Sequence, residues 1–135
     1  MHWPCPRGRS GQALVEVALV FPLLLVVALG LLQLALYAHA RDVVLTAAQE
    51  GARLAAEDGR GMEDGYLRVA DVARAGLGTS VYPLETHGRM GPESVEFTIH
   101  TSLRPIIPLP IRDGLPIHVR SSASRERFRA NGGAQ

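Results

Sequence analysis

A run without a single charged side chain extends from Val17 to Ala40. Its apolar core of about 22 residues would be roughly 33 Å long as an α-helix, and the hydrocarbon layer of a membrane is about 30 Å thick. Gln33 is the only strongly polar side chain in this core, and Tyr37 and His39 follow where the helix would reach the far interface. We therefore predict a helix that spans a membrane once.

The charged residues all lie outside this run, and they limit the possible partners and orientation. Arg7 and Arg9 precede the run, whereas Arg41 after it is offset by Asp42. The excess of positive charge before the span predicts a cytoplasmic N-terminus, with the C-terminal domain outside the cytoplasmic (inner) membrane.

A net charge of +1 gives no field for holding nucleic acid, so we expect no nucleic-acid partner. The single cysteine, Cys5, excludes an internal disulfide.

Helical periodicity continues beyond the apolar run. Small and apolar residues recur at three- and four-residue steps as far as Ala55, and polar residues occupy the opposite face. One long helix is predicted from about Gln12 to Asp58, comprising a membrane-spanning part at 12–40 and an aqueous continuation at 41–60. In the aqueous part Ala47, Gly51 and Ala55 are four residues apart, so another backbone or a sheet could approach that face closely.

The sequence just before the span combines a basic leader at 1–11, Gly11 at its end, and Glu16 five residues later. This arrangement resembles a class III signal, which a prepilin peptidase cuts at the cytoplasmic face of the membrane. A carboxylate at the head of an apolar helix is costly in lipid and should seek a cation. The simpler alternative is that Glu16 only marks the interface and favours the positive end of the helix.

Three stretches of the sequence form a wider pattern over about residues 9 to 56, namely Gly11-Gln-Ala-Leu-Val-Glu-Val-Ala-Leu-Val-Phe-Pro-Leu-Leu-Leu25, Ala40-Arg41 and Ala47-Ala-Gln-Glu-Gly-Ala-Arg53. This wider segment resembles the TadE-like family, the pseudopilin-type proteins of the tight-adherence (Flp-type) pilus apparatus. Val17 and Gln49 depart from the family's usual pattern, which has an aromatic residue and a basic residue at these positions.

The resemblance implies a pseudopilin or minor pilin that acts in assembly rather than catalysis. It implies cleavage between Gly11 and Gln12, with Glu16 as the carboxylate that pairs with the new N-terminal amine of a neighbouring subunit. The implied partners are membrane lipid, other pilins or pseudopilins, the pilus assembly platform and the prepilin peptidase. Two alternatives stay open. Ala38-His39-Ala40 has the small-x-small form of a signal peptidase site, which would release a secreted binding domain, and an uncut single-pass scaffold is the other.

The remaining residues, 61–135, predict a small α+β domain that shares its core with the long helix. A second helix is expected from Glu63 to Leu77, closed by Gly78. Alternating residues predict a strand at Val95–Leu103, and two flanking strands are expected at Thr79–Thr86 and Ile117–Ser124. The strand at Thr79–Thr86 would pair with the strand at Val95–Leu103 across a turn at Gly88–Pro92. The three strands would form an antiparallel sheet.

The rest of the domain is predicted to lack regular structure in two segments, and its residues indicate neither a metal site nor an active site. Residues 104–116 contain four prolines and are expected to form an extended apolar loop, and residues 125–135 are expected to be a frayed tail. His87, His100 and His118 could converge if their strands are adjacent, but their spacing is not that of a metal site, so we expect no metal and no cofactor. Motifs for phosphate binding or nucleophilic catalysis are absent from the sequence, so no enzyme is predicted.

Overall fold

The computed structural model describes residues 9–81, 83–106 and 114–125, without the side chains of residues 9 and 10. Helix α1, Arg9–Ala56, contains 48 residues and is therefore about 72 Å long. It continues through Pro22, and it ends two residues before the predicted Asp58. Gly59, whose φ of 77° is readily available only to glycine, turns the chain away from the helix axis.

Helix α2, Met62–Leu77, confirms the predicted second helix to within one residue. The carboxylate of Asp64 accepts a hydrogen bond from the backbone N–H of Gly61, which satisfies a donor next to the first turn. Gly78 ends the helix with a φ of 54°, and its N–H donates to the carbonyl of Arg74.

Three strands form one antiparallel sheet in the order β1-β2-β3: Glu85–Met90, Ser94–Leu103 and Leu115–Ser124. In β2 the odd-numbered residues are buried and the even-numbered residues are more exposed, as the alternation predicts. Strand β3 begins two residues before the predicted Ile117 and pairs with β2 along its whole length. The predicted α+β class, a long N-terminal helix with a small three-stranded domain, is confirmed.

The prediction for the first strand was wrong in position. Strand β1 is Glu85–Met90 rather than Thr79–Thr86, and of the earlier stretch Val81 makes only an isolated bridge to Leu103. Pro83 lacks the backbone donor that a paired strand needs. Gly88 lies inside β1 rather than in the turn, opposite Phe97 of β2, and a Cβ atom there would lie 3.0 Å from the Tyr66 hydroxyl and 3.1 Å from the Phe97 ring.

The hairpin turn between β1 and β2 is correspondingly shorter than predicted and spans residues 91–93. It is closed by a hydrogen bond of 2.8 Å from the N–H of Gly91 to the carbonyl of Ser94. The glycine-rich composition therefore predicted the existence of the turn but not its first residue.

Both helices pack on the same face of the sheet, giving two layers. The second half of α1 contacts α2, β2 and β3, and α2 contacts β1. The outer face of the sheet carries polar side chains. The most deeply buried hydrophobic residues are Ala40, Val44, Ala47, Ala48, Ala52, Ala55, Val69, Val95, Phe97, Ile99 and Ile117. The domain's core is thus built between the sheet and the long helix, because the 75 residues of 61–135 alone would supply only a marginal core.

Two predictions lie largely outside the described residues. The apolar loop predicted at 104–116 is described only at 104–106 and 114–116, and its last two residues, Leu115 and Pro116, were wrongly predicted as loop because they pair with β2 as the start of β3. Of the predicted frayed tail only Arg125 is described, and its N–H donates to the carbonyl of Glu93.

Candidate functional site

In the part of the chain that the structure describes, no other element covers the first half of α1. Every residue from 11 to 32 is exposed, and we call these 22 residues the bare segment. Its mean hydropathy reaches 2.7 over 18 residues, and at 1.5 Å per residue it is about 33 Å long. Because this length matches a hydrocarbon layer of about 30 Å, the helix fits a single-pass membrane anchor.

Glu16 is the only charged residue of the bare segment. It lines a shallow groove on the helix surface together with Val17, Val20, Phe21 and Leu24. Among the side chains that the structure describes, none forms a hydrogen bond or an ion pair with Glu16. The single chain therefore leaves this carboxylate exposed within an otherwise apolar surface, where an external cation would have a large effect.

Gly11 and Gln12 lie in the first turn and a half of α1, and both are exposed. A Cβ atom added at Gly11 would meet no atom within 4 Å, so packing within the chain does not account for a glycine there. Gln12 is four residues before Glu16 and therefore lies one turn away on the same helix face. The two halves of the predicted processing and assembly motif are thus adjacent on the helix surface.

Contacts between the domain and α1 begin at Gln33, seven residues before the predicted end of the membrane span at Ala40. The side chain of Gln33 is only 8% exposed, and its Oε1 accepts a hydrogen bond of 2.8 Å from the N–H of Ile106. One turn later, the hydroxyl of Tyr37 donates to the carbonyl of Pro116 over 3.0 Å. The chain is therefore attached to α1 both just after β2, at Ile106, and at the start of β3, at Pro116.

Ala47, Gly51 and Ala55 are buried where α1 meets α2. A Cβ atom on Gly51 would lie 2.9 Å from the carbonyl oxygen of Gly65 and closer still to Val69. A Cβ atom on Gly65 would in turn lie 2.9 Å from both the carbonyl oxygen of Gly51 and the Cβ of Ala55. The face formed by Ala47, Gly51 and Ala55 thus packs against the backbone of α2. The two helices come into close contact where Gly51 of α1 faces Gly65 of α2.

The outer face of the sheet brings the three predicted histidines together. His100 and His118 are directly opposite each other, with 2.6 Å between their Nδ1 atoms, so one ring must donate and the other accept. The rings of His87 and His100 lie edge to face, with centroids 6.1 Å apart. Within the described ranges, no three histidine, cysteine or acidic side chains are arranged to hold a metal ion.

An ion pair lies beside these histidines on the same face. The Arg120 guanidinium is 2.6 Å from the Glu96 carboxylate. This hydrogen bond, and then the charge of Glu96, raise the pKa of Arg120 above its already high ordinary value. Arg120 is 71% exposed, so the pair is a surface contact.

Two residues of functional interest were not predicted from the sequence, namely Gln33 and Tyr37 as attachment points for the domain. The available signal was Gln33 itself, an isolated amide in a long apolar run. Such a side chain is costly in lipid and usually finds a hydrogen-bond partner. The sequence did not identify the partner, because Ile106 is 73 residues further along the chain.

Comparison with known protein families gives a match over part of α1. Residues 11–53 match the family described as TadE-like protein, which confirms the resemblance for this segment and indicates involvement in a tight-adherence (Flp-type) pilus system. The matched residues include the bare segment and almost all of the packed half of α1. No curated protein and no solved structure matches the chain.

Proposed function

We propose, from the TadE-like character of residues 11–53, that the chain is a membrane-anchored pseudopilin or minor pilin-like subunit in the assembly of a tight-adherence (Flp-type) pilus or related secretion machine. The observation that carries this proposal is the bare segment. It is apolar, exposed along its whole length and joined without interruption to the helix that supports the folded domain. The chain acts by assembly rather than catalysis, without a cofactor.

The bare segment explains how such a subunit could be held and later assembled. In the membrane, lipid covers the apolar side chains, and in a fibre or platform the same surface would pack against other helices. Glu16 would then select the position of the neighbouring helix. Cleavage after Gly11 would leave a charged amine on Gln12, and pairing of this amine with Glu16 of the next subunit would set the stagger between the two helices.

The folded domain supports this proposal over release by signal peptidase. A chain that began at Arg41 would lack Gln33 and Tyr37, and with them the hydrogen bonds to Ile106 after β2 and to Pro116 at the start of β3. It would also lose Ala40, which is 1% exposed in the core. An uncut single-pass scaffold keeps all these contacts and stays the second candidate.

The N-terminus of the protein purified from its native membrane tests the processing step. N-terminal sequencing and intact mass should show a start at Gln12, and this start should disappear when the prepilin peptidase is inactivated. A start at Arg41 would contradict the proposal and favour a secreted domain. An intact Met1 in both strains would exclude processing and favour the uncut scaffold.

Substitution of Glu16 tests the assembly step. Glu16→Gln and Glu16→Ala should both abolish or strongly reduce crosslinking to other pilus subunits, because the amide and the methyl group cannot neutralise a buried amine. Glu57→Gln is the matched control, since Glu57 is exposed on the turn after α1, far from the bare segment. Unchanged crosslinking in both Glu16 variants would remove Glu16 from the assembly mechanism.

A further inference from the structure

We propose that Ile106 is a second point of contact with lipid, inserted into the membrane interface on the side of the domain. The domain would then lie directly against the membrane surface rather than above it on a helical stalk. This inference rests on the proposed membrane anchoring of the bare segment.

The position of Ile106 along α1 is the first argument. Gln33 is 21 residues after Gln12, which corresponds to about 32 Å along a helix, close to the thickness of the hydrocarbon layer. The N–H of Ile106 is 2.8 Å from the Oε1 of Gln33, so Ile106 is at the same level along the helix. If the bare segment spans the hydrocarbon layer, Ile106 lies at its boundary.

The exposure of Ile106 is the second argument. Its side chain is 58% exposed, beside a helix whose neighbouring Leu34 is 64% exposed. Exposed apolar side chains, Leu32 and Leu34, thus lie on either side of the residue that binds Ile106. An apolar patch of this kind, continuous with a membrane span, favours lipid as its occupant.

The attachment of the domain is the third argument. Gln33 is buried by the domain and binds a backbone N–H, so its costly amide is removed from the lipid at the position where the span ends. Tyr37, one turn further on, binds the carbonyl of Pro116. Tyrosine is enriched at membrane interfaces, where its ring contacts the lipid boundary and its hydroxyl finds a polar partner. These two contacts hold Ile106 at a fixed depth.

Depth-dependent fluorescence quenching tests the proposal on the full-length chain. In a Cys5→Ser background, single cysteines at Ile106, Leu23 and Leu67 would be labelled with an environment-sensitive fluorophore. The labelled proteins would be inserted into phosphatidylcholine vesicles that carry a nitroxide either near the headgroup or near the chain end. Leu23 is 64% exposed in the middle of the bare segment, and Leu67 is 61% exposed on α2, so all three sites have similar exposure in the single chain.

The label at Ile106 should lose more fluorescence to the shallow nitroxide than to the deep one. The label at Leu23 should show the opposite preference, and the label at Leu67 should be quenched by neither. An unquenched Ile106 label beside a quenched Leu23 label would overturn the inference while leaving the anchor intact. Loss of quenching at Leu23 as well would overturn the membrane anchoring on which it depends. An unquenched label at Ile106, together with a disulfide-linked dimer of the unlabelled Ile106→Cys variant, would assign the patch to a subunit interface and overturn the lipid contact.

Substitution of Gln33 tests what holds Ile106 at this depth. Gln33→Leu removes the acceptor while keeping a side chain of similar size, and shallow quenching at Ile106 should decrease while deep quenching at Leu23 is unchanged. Gln49→Leu is the matched control, because Gln49 is exposed on the packed half of the same helix. Equal shallow quenching in the two variants would overturn the positioning role of Gln33, and circular dichroism of both would check that the domain is folded.

Discussion

The two halves of α1 have the same secondary structure and opposite surroundings. From residue 11 to residue 32 the helix is exposed on every side, whereas from Gln33 to Ala56 one face is buried against α2, β2 and β3. The bare segment is rich in leucine and valine, and the buried face of the packed half is rich in alanine.

This contrast shows that large apolar residues on a helix do not by themselves indicate a protein core. In the bare segment large side chains provide an apolar surface all round, as lipid or other helices require. In the packed half the small side chains allow α2 and the sheet to approach the helix axis. Substitutions in the packed half should therefore lower the stability of the domain. Substitutions in the bare segment should instead affect membrane insertion or assembly.

The largest difference is expected between Phe97→Ala and Leu24→Ala. Phe97 is fully buried under both helices, so its removal should lower the free energy of unfolding by about 3–5 kcal/mol. Leu24 is 59% exposed on the bare segment, so its removal should leave domain stability unchanged. Denaturant unfolding in detergent, monitored by near-ultraviolet circular dichroism, would measure both. Equal losses would mean that the bare segment is part of the cooperative fold.

Two glycines of the same helix provide a second comparison. Gly51→Ala should cost about 1–3 kcal/mol, because the new methyl group would overlap Val69 and the backbone of Gly65. Gly30→Ala is the matched control, since a Cβ atom there meets nothing within 4 Å. Thermal unfolding of the two variants would show a lower Tm for Gly51→Ala alone. A Tm equal to that of the parent protein would indicate that α1 and α2 can separate without cost.

Tyr66→Phe tests a single hydrogen bond within the packed region. The hydroxyl of Tyr66 accepts a bond of 2.8 Å from the N–H of Gly88, while its ring stacks edge to face on Phe97. Loss of the hydroxyl should cost about 0.5–1.5 kcal/mol, because the ring contact is kept. Faster hydrogen exchange at the amide of Gly88 would accompany the loss. Unchanged exchange would show that water replaces the hydroxyl fully.

The smallest effect is expected from Glu96→Gln on the outer face of the sheet. The variant removes the charge that raises the pKa of Arg120, so that pKa should fall toward its ordinary value. A group with a raised folded-state pKa contributes stability below its unfolded pKa and loses it as the pH rises through the folded value. Both values lie at strongly alkaline pH, so this contribution of Arg120 should not vary near neutrality. Unfolding at low and high salt would show only a small, salt-screened decrease in Tm, and a large decrease would place the pair in the cooperative core.

Local patterns in the sequence were sufficient for most of the architecture. An uninterrupted apolar run predicted the first half of α1, helical periodicity predicted its second half and α2, and strict alternation predicted β2. The last three segments each bury one face in the shared core, which is why they show these patterns. The position of β1 could not be predicted in this way. Its inward positions include Gly88, which carries no hydrophobic signal and lies close to Tyr66 and Phe97.

The sequence by itself determined that the chain has a long apolar helix with one carboxylate near its start, since length, charge and spacing are properties of neighbouring residues. Only the tertiary structure decided where the exposed part of that helix ends and the packed part begins. The burial of Gln33 depends on Ile106, and the approach of Gly51 to α2 depends on Gly65. These contacts join residues that are far apart in the chain, so they stabilise the protein only after the sheet and both helices have packed together.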